Sequence, residues 1–330
     1  MSKRPKILVT QRIHEEVQRR LSVHGDLDMN DSPDPWPRAE IIRRAASATA
    51  IMGFMTDQVD TDLLHAAPDL EVVACALKGY DNYDVDACTQ SGVWLSIVPD
   101  LLTEPTAELA IGLAIGLARH VRQGDAYMRT GDFAGWRTHF YGTGLHGSVA
   151  AVVGLGQVGS AIIQRLQGFG CARILGVDPG AVLEGVEASS LDVAMRQADY
   201  LFVAAPLTAS SHHLVSDTQL GHARAGQLII NVGRGSVVDE GAVLRALQAG
   251  CIGGYAADVF GCEDWQLPGR PRCVSPDLLA LDNTLFTPHI GSAVRAVRLA
   301  IEQSAADNII AVLMGKTPPN AINAPEQIAA

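Results

Sequence analysis

The chain has no Cys-x-x-Cys pair, and its six cysteines (Cys75, Cys88, Cys171, Cys251, Cys262, Cys273) follow no regular spacing. Zinc-ribbon and disulfide-framework architectures are thereby excluded, and the reading is reduced thiols, no metal and a cytoplasmic protein. Positive charge is also scarce. Lys and Arg number 25 against 36 Asp and Glu, for a formal net charge of −11. That balance argues against nucleic acid and anionic membrane as partners, and makes any local cluster of cations informative. Long apolar runs are missing: Leu109–Ala118, between Glu108 and Arg119, is too short to cross a bilayer, and Ile7-Leu-Val9 is too short for a signal segment. What is present describes a packed globular protein, with hydrophobic residues at 48% and charged ones at 18%, and 330 residues predict two domains.

The stretch Ser148–Gly159 organises the chain. A β-branched and alanine-rich run leads into Gly154-x-Gly156-x-x-Gly159, and Ser160–Gly168 continues with helical spacing. A strand buried on both faces, a glycine turn and a helix N-terminus form a diphosphate cradle, because the helix start offers free N–H groups and a favourable dipole. A second apolar run, Ile174–Val177, ends in Asp178, where a carboxylate accepts from an adenosine ribose diol. The order strand, fingerprint, helix, strand and acid predicts NAD as cofactor. Asp178-Pro179-Gly180 favours NAD over NADP, since the carboxylate repels a 2′-phosphate and no cation follows it.

Along the chain, Lys6–Thr10, Ala50–Met55, Leu70–Ala76 and Gly92–Val98 read as strands of a first parallel α/β domain. Asp31–Pro37 reads as an exposed proline-rich loop. One long helix is predicted from Thr103 to about Arg129, with Gly112 and Gly116 admitting close packing against another domain or subunit. An aromatic-rich irregular segment, 131–147, follows. Tyr200–Ala205, Gln227–Val232, Gly253–Ala257 and a short run from Thr284 read as further parallel strands, and a helix from Ala293 to Leu313 returns the chain to the first domain. The predicted architecture is therefore α/β: two Rossmann-like or flavodoxin-like doubly wound parallel-sheet domains with the active site in the cleft between them. The substrate domain is discontinuous (1–100 and 292–330), and residues 101–291 form the NAD-binding domain.

Three polar residues fall at ends of nucleotide-domain elements. Arg234, in a Gly-Arg-Gly loop, has a planar fork for two anion oxygens. His289 is the natural proton carrier near neutral pH, and Glu263 is placed to hold its tautomer. Taken singly each has a bland reading: a satisfied histidine, a solvated arginine, and in Glu263-Asp264 an ordinary acidic surface. Together with Asn231–Asp239, Ala257–Phe260 and Thr287–Ser292, they resemble the D-isomer-specific 2-hydroxyacid dehydrogenase family over nearly the whole chain. The resemblance implies substrate anchor, histidine partner and acid/base roles for Arg234, Glu263 and His289, and contact with the nicotinamide for Asp258. Gly261 stands where the family usually has an acid. The resemblance further implies cofactor contacts from Leu155, Gln157 and Val158 within the fingerprint, from Pro179 beside Asp178, and from Pro206, Thr208 and Val232 at the ends of later strands.

Lys78 and Arg298 add two cations to Arg234, more than a single carboxylate requires and enough for a compact dianion. The blocks 74–84, 99–103, 140–144 and 283–298 resemble the family members that oxidise phosphite, which implies phosphite as substrate, a homodimer, and either His289 or Arg298 as acceptor of the water proton. Met55, Leu77, Gly79 and Ser292 match pocket positions, and Trp136 and Tyr141 a dry aromatic cover. The rival readings are a glyoxylate or hydroxypyruvate type dehydrogenase, a non-catalytic NAD sensor on the same fold, and a metal hydrolase using His212, His213 and His222, which lack a catalytic spacing.

Overall fold

The computed structural model describes residues 4–98, 100–265 and 267–325, so Pro99 of the 99–103 block lies outside the described residues. The chain divides into two compact units, Met1–Leu102 with Ala293–Ala330, and Thr103–Ser292.

The first unit runs β1 (Lys6–Val9), α1 (Glu15–His24), β2 (Asp26–Met29), α2 (Arg38–Ala45), β3 (Ala50–Gly53), α3 (Thr61–Ala66), β4 (Val72–Cys75), α4 (Val85–Gln90) and β5 (Trp94–Ser96). The second runs α5 (Thr103–Ala118), α6 (Val121–Thr130), β6 (Val149–Val153), α7 (Gln157–Gly168), β7 (Arg173–Val177), β8 (Glu187–Ala188), α8 (Leu191–Gln197), β9 (Tyr200–Val203), α9 (Asp217–Leu220), β10 (Leu228–Asn231), α10 (Glu240–Gln248), β11 (Gly254–Ala257), α11 (Pro276–Leu279) and β12 (Thr284–Phe286). α12 (Arg295–Leu313) belongs again to the first unit.

Both sheets are parallel, and both are buried on two faces. The first has order β2-β1-β3-β4-β5 and the second β12-β11-β10-β9-β6-β7-β8. Strand side chains alternate between the faces, as the period of two requires. In the second sheet Ala151, Val153, Leu201, Val203 and Ile229 enter one core, while Ala150, Val152, Tyr200, Phe202 and Ile230 enter the other. In the first, α12 lays Ile301, Ala305, Ala306 and Ile309 over Ile7, Val9, Ala50 and Met52. Each strand order reverses once, at β1/β3 and at β6/β9, and ligands of such sheets bind beyond the strand ends at that reversal.

Several elements differ from the sequence reading. The helix expected to run to Arg129 ends at Ala118, because His120 adopts a left-handed conformation (φ 52°), and α6 starts afresh at Val121. The freed Ala118 carbonyl accepts from Thr143 N at 3.2 Å. Within its own unit α5 buries Ala107, Ala110, Ile111, Leu113, Ala114 and Leu117 in the core it shares with α7. Gly116 is the glycine that packs closely there, since a Cβ would stand 2.8 Å from Leu285 Cδ2, whereas Gly112 has nothing within 4 Å. β2 was not expected: Asp-Leu-Asp-Met is a poor strand former, but it lies at the sheet edge, where Asp28 pairs with Lys6 at 2.9 Å and with Arg44. β8 was not expected either, being two exposed residues. α12 starts at Arg295, two residues later than read.

One buried acid at the β1/β3 reversal has a measurable consequence. Asp57 is 3% exposed, accepts from Phe54 N at 2.7 Å and from Thr10 Oγ1, and its Oδ1 has no hydrogen-bond partner among the described residues. Burial pushes its carboxyl from the usual 3.8 up to about 6 against those donors. The folded state thus holds the proton more tightly than the unfolded chain. The associated stabilisation is complete below about pH 4 and is lost as pH rises through about 6, a span worth roughly 3 kcal/mol. Asp57→Asn removes that proton linkage. In urea melts at a series of pH values, the native protein should gain on the variant as pH falls from 7 to 4, and parallel curves would sink the assignment.

Candidate active site

The cofactor cradle is built from three glycines with different surroundings. Gly154 turns the chain at φ 88°, and a Cβ there would stand 2.8 Å from the Ala205 backbone. A Cβ on Gly159 would lie 1.9 Å from the Gly154 carbonyl oxygen, so α7 and β6 meet backbone to backbone. Gly156, the N-cap of α7, is exposed, has no side-chain cap and nothing within 4 Å of a Cβ position. That open space before a helix N-terminus fits a diphosphate. Leu155 is buried in the core beneath, Val158 is half-buried and Gln157 exposed. Asp178, at the end of β7, accepts from Leu155 N through Oδ2 and from Gly180 N through Oδ1, both at 2.8 Å. These donors hold its carboxyl below the usual range, so it stays ionised beside the fingerprint. Pro179 is exposed next to it; Pro206 and Thr208 are exposed beyond β9, and Val232 is buried at the end of β10. Asp178→Ala should raise kcat/KM with NADP by about tenfold relative to NAD, since a 2′-phosphate no longer meets a fixed carboxylate. An unchanged preference in initial-rate assays would assign ribose reading to another residue.

Glu263 and His289, 26 residues apart in the chain, meet at 2.6 Å between Oε2 and Nδ1. Glu263 sits in a short 3-10 turn, Gly261–Glu263, and its other oxygen accepts from Phe260 N at 2.8 Å. With Nδ1–H donated to the carboxylate, Nε2 carries the lone pair and is the nitrogen able to take a proton. The loop presenting His289 is held by Asp258, which is 2% exposed. Its Oδ1 accepts from Thr287 Oγ1 at 2.6 Å and from Ile290 N at 2.8 Å, and its Oδ2 from Gly291 N at 2.8 Å. Burial raises the Asp258 carboxyl while these donors oppose the rise. His289 itself takes a left-handed conformation, φ 54°, a strained state that this clamp sustains. The family resemblance implied a nicotinamide contact for Asp258; the structure adds its hold on the histidine loop through these bonds.

Arg234 follows β10 in a loop folded by Asn231, whose Oδ1 accepts from Gly233 N at 3.1 Å and whose Nδ2 donates to the Arg234 carbonyl at 3.0 Å. An Asx turn ahead of Gly-Arg-Gly was a readable signal for that support. Arg234 is half-buried and its Nη1 donates to Gly233 O at 2.9 Å. The acidic-surface reading of Glu263-Asp264 does not hold for Asp264, which is 4% exposed.

Lys78 and Arg298 belong to the first unit. Lys78 stands in the segment leaving β4, half-buried, 3.5 Å from Asp100. Arg298, in the first turn of α12, donates to the Ala76 carbonyl at 3.4 Å and lies over the Phe54 ring at 5.8 Å. Among the described residues it forms no ion pair; Glu302, whose charge acts on it, pairs with His14 at 2.8 Å, and burial holds the guanidinium below its ordinary value. Leu77 is buried, Met55 and Gly79 are half-buried, and Ser292 is half-buried at the end of the second unit. Trp136 and Tyr141 do not form a cover in the single chain. They are 81% and 73% exposed, because segment 131–144 projects without core residues. His212 and His213 stack at 4.0 Å, while His222 faces Asp192 at 3.5 Å. Among the described residues no group of three metal-capable side chains forms.

Residues 111–291 match the NAD binding domain of the D-isomer specific 2-hydroxyacid dehydrogenases. The chain is 34% identical to a glyoxylate reductase from Aeropyrum pernix, with 97% of this chain and 96% of that protein aligned. Among solved structures, one from Thermus thermophilus superimposes with a TM-score of 0.88 at 31% identity, covering 96% of this chain and all of the other. An NADPH-dependent glyoxylate/hydroxypyruvate reductase from Sinorhizobium meliloti, in complex with NADP and malonate, gives 0.82 at 30% identity, with 97% of each chain covered. With the glycine cradle, Asp178 and the Glu263–His289 pair already in place, these matches settle the family: the chain belongs to the D-isomer specific 2-hydroxyacid dehydrogenases, NAD-dependent oxidoreductases.

Proposed function

We propose that this family member oxidises phosphite to phosphate. The observation that carries the reading is the cation pair of the first unit: Arg298 beside the Ala76 carbonyl and Lys78 two residues further along the same strand exit. A half-buried guanidinium with no ion-pair partner among the described residues suits an anion. The family resemblance assigns Arg234 to the same substrate, and three cations serve a compact dianion, whereas a monocarboxylate needs fewer. The four blocks resembling phosphite-oxidising members support the same substrate. Bound NAD supplies the hydride acceptor. The P–H bond breaks with its electron pair leaving as hydride, a water oxygen forms the new P–O bond, and the balance is phosphite, water and NAD⁺ to phosphate, NADH and a proton. Nε2 of His289 takes the water proton, and Glu263 stabilises the imidazolium through Nδ1–H. Arg234, Lys78 and Arg298 neutralise the phosphorus oxygens, without which an approaching hydroxide-like nucleophile is repelled.

A second reading, reduction of glyoxylate or hydroxypyruvate, is favoured by relatives named glyoxylate reductase and by the Sinorhizobium meliloti glyoxylate/hydroxypyruvate reductase. Arg234 would then hold the carboxylate and His289 protonate the carbonyl. NADH absorbance separates the two. Appearance with NAD⁺ and phosphite, matched by phosphate released, supports the first; oxidation of NADH with glyoxylate and silence with phosphite replaces it by the second. Silence with all substrates would bring forward the NAD sensor.

We further propose that the chain acts as a homodimer through α6 and the segment after it. α6 has no buried residue, and Val121, Met128, Phe133, Trp136, Phe140 and Tyr141 are exposed in succession, with Met128, Phe133, Trp136 and Phe140 lining a groove of about 360 Å³. An apolar patch of this kind marks an association surface. Light scattering should give twice the chain mass, and Trp136→Asp with Phe133→Asp should return it to one; a native monomer would overturn the assignment.

A further inference from the structure

Asp264 is a buried carboxylate for which the reaction above has no use. The turn that carries Glu263 and the loop that carries Arg234 come from separate stretches of the chain, yet they meet backbone to backbone. A Cβ on Gly235 would stand 1.9 Å from the Phe260 carbonyl carbon and 2.2 Å from Gly261 N. Across this contact Asp264 Oδ2 accepts from Ser236 N at 2.7 Å. On the far side Glu240 Oε1 accepts from Gly261 N at 2.7 Å, and Arg270 Nη1 donates to the Cys262 carbonyl at 2.8 Å while its guanidinium lies 3.8 Å from the Trp265 ring. The turn is therefore fixed from two sides, and its third tie, Asp264 to Ser236, reaches into the Arg234 loop.

We infer that Asp264 is a positioning residue that locks the Arg234 loop to the Glu263 turn, so that anion anchor and proton-transfer pair are held in one register. This rests on the proposed roles of Arg234, Glu263 and His289. A carboxylate with one side chain's reach, buried and bonded to the amide two residues past Arg234, transmits any shift of the turn to that arginine. Reacting groups lose rate steeply with misplacement, and about 1 Å can cost roughly a hundredfold. Sequence adjacency to Glu263 hides this, because two neighbouring acids read as a solvated surface.

The test is Asp264→Ala against Asp264→Asn in the full-length protein. Asn keeps an oxygen that accepts from Ser236 N, whereas Ala leaves that buried N–H without it. In D264A the substrate KM should rise about tenfold or more and kcat should fall, with the NAD KM within about twofold, and D264N should restore both substrate parameters to within about threefold. Amide exchange at Ser236 gives a reading independent of turnover: faster in D264A, close to native in D264N. If D264A does not fold, Asp264→Glu, which lengthens the tie by one methylene, should show the same selective rise in substrate KM. Assaying the native enzyme first with phosphite and with glyoxylate separates the two ideas. Silence there overturns the substrate reading and leaves amide exchange to judge Asp264. Unchanged substrate parameters, an equal loss for NAD and substrate, or unaltered exchange at Ser236 overturns the lock.

Discussion

Replacing His289 with Asn should lower kcat by roughly 10²–10⁴, the usual share of a positioned acid/base, while NAD still binds. The expectation follows from the 2.6 Å contact of Nδ1 with Glu263, which fixes Nε2 as the proton acceptor. Asparagine keeps a polar group at a left-handed position it tolerates, so the clamp by Asp258 survives and the loss is chemical rather than structural. Glu263→Gln is the informative companion. An amide turned with its NH₂ toward Nδ1 favours the tautomer with the proton on Nε2, which is the wrong one for a base. Its kcat should therefore fall by roughly tenfold to a thousandfold, less than for His289→Asn, with substrate KM changed by less than about threefold. Stopped-flow NADH formation and NAD titration by fluorescence quenching would read both quantities. A His289→Asn enzyme within fivefold of native would remove the histidine from the reaction and move attention to Arg298.

The NAD-binding half was legible because its requirements are local. Gly154 needs a positive φ, Gly159 a backbone approach and Asp178 a strand end, and each leaves a fixed spacing in the sequence. Two-faced burial likewise writes itself as continuous apolar strands. What stayed hidden depends on tertiary neighbours. The break after α5 lies at a histidine, not a glycine or proline, and is stabilised by Thr143 returning to the Ala118 carbonyl. The edge strand β2 has no strand composition and exists by pairing with β1. Asp264 reads as surface because hydropathy scales a residue, not its partner, and the partner is a backbone N–H on another loop. Trp136 and Tyr141 read as cover because their positions match cover positions of the phosphite-oxidising relatives, yet the single chain leaves both in solvent.

Removing the first unit's cations should separate phosphite from 2-oxoacid substrates. Lys78→Ala and Arg298→Ala are each expected to lower kcat/KM for phosphite by about a hundredfold or more, because opposite charges about 4 Å apart at an effective dielectric near 20 interact by about 4 kcal/mol before desolvation is subtracted. The NAD KM should move by less than about threefold, since neither residue belongs to the unit that carries the fingerprint. Arg298 is the more sensitive of the two. It is half-buried, burial holds its guanidinium below the ordinary value, and Ala76 O is its described hydrogen-bond partner, whereas Lys78 is shared with Asp100 at 3.5 Å. Asp100 is 61% exposed at its side chain, so that ion pair is screened, and Asp100→Asn should change phosphite turnover by less than about threefold. The double variant K78A/R298A discriminates most strongly. Under the phosphite reading it loses phosphite turnover below detection and retains any weak glyoxylate activity that Arg234 and His289 support. If instead glyoxylate and phosphite fall together, the two cations orient a group common to both substrates. If neither falls, the dianion account fails, and Arg234 is left as the anchor of an ordinary 2-oxoacid reductase.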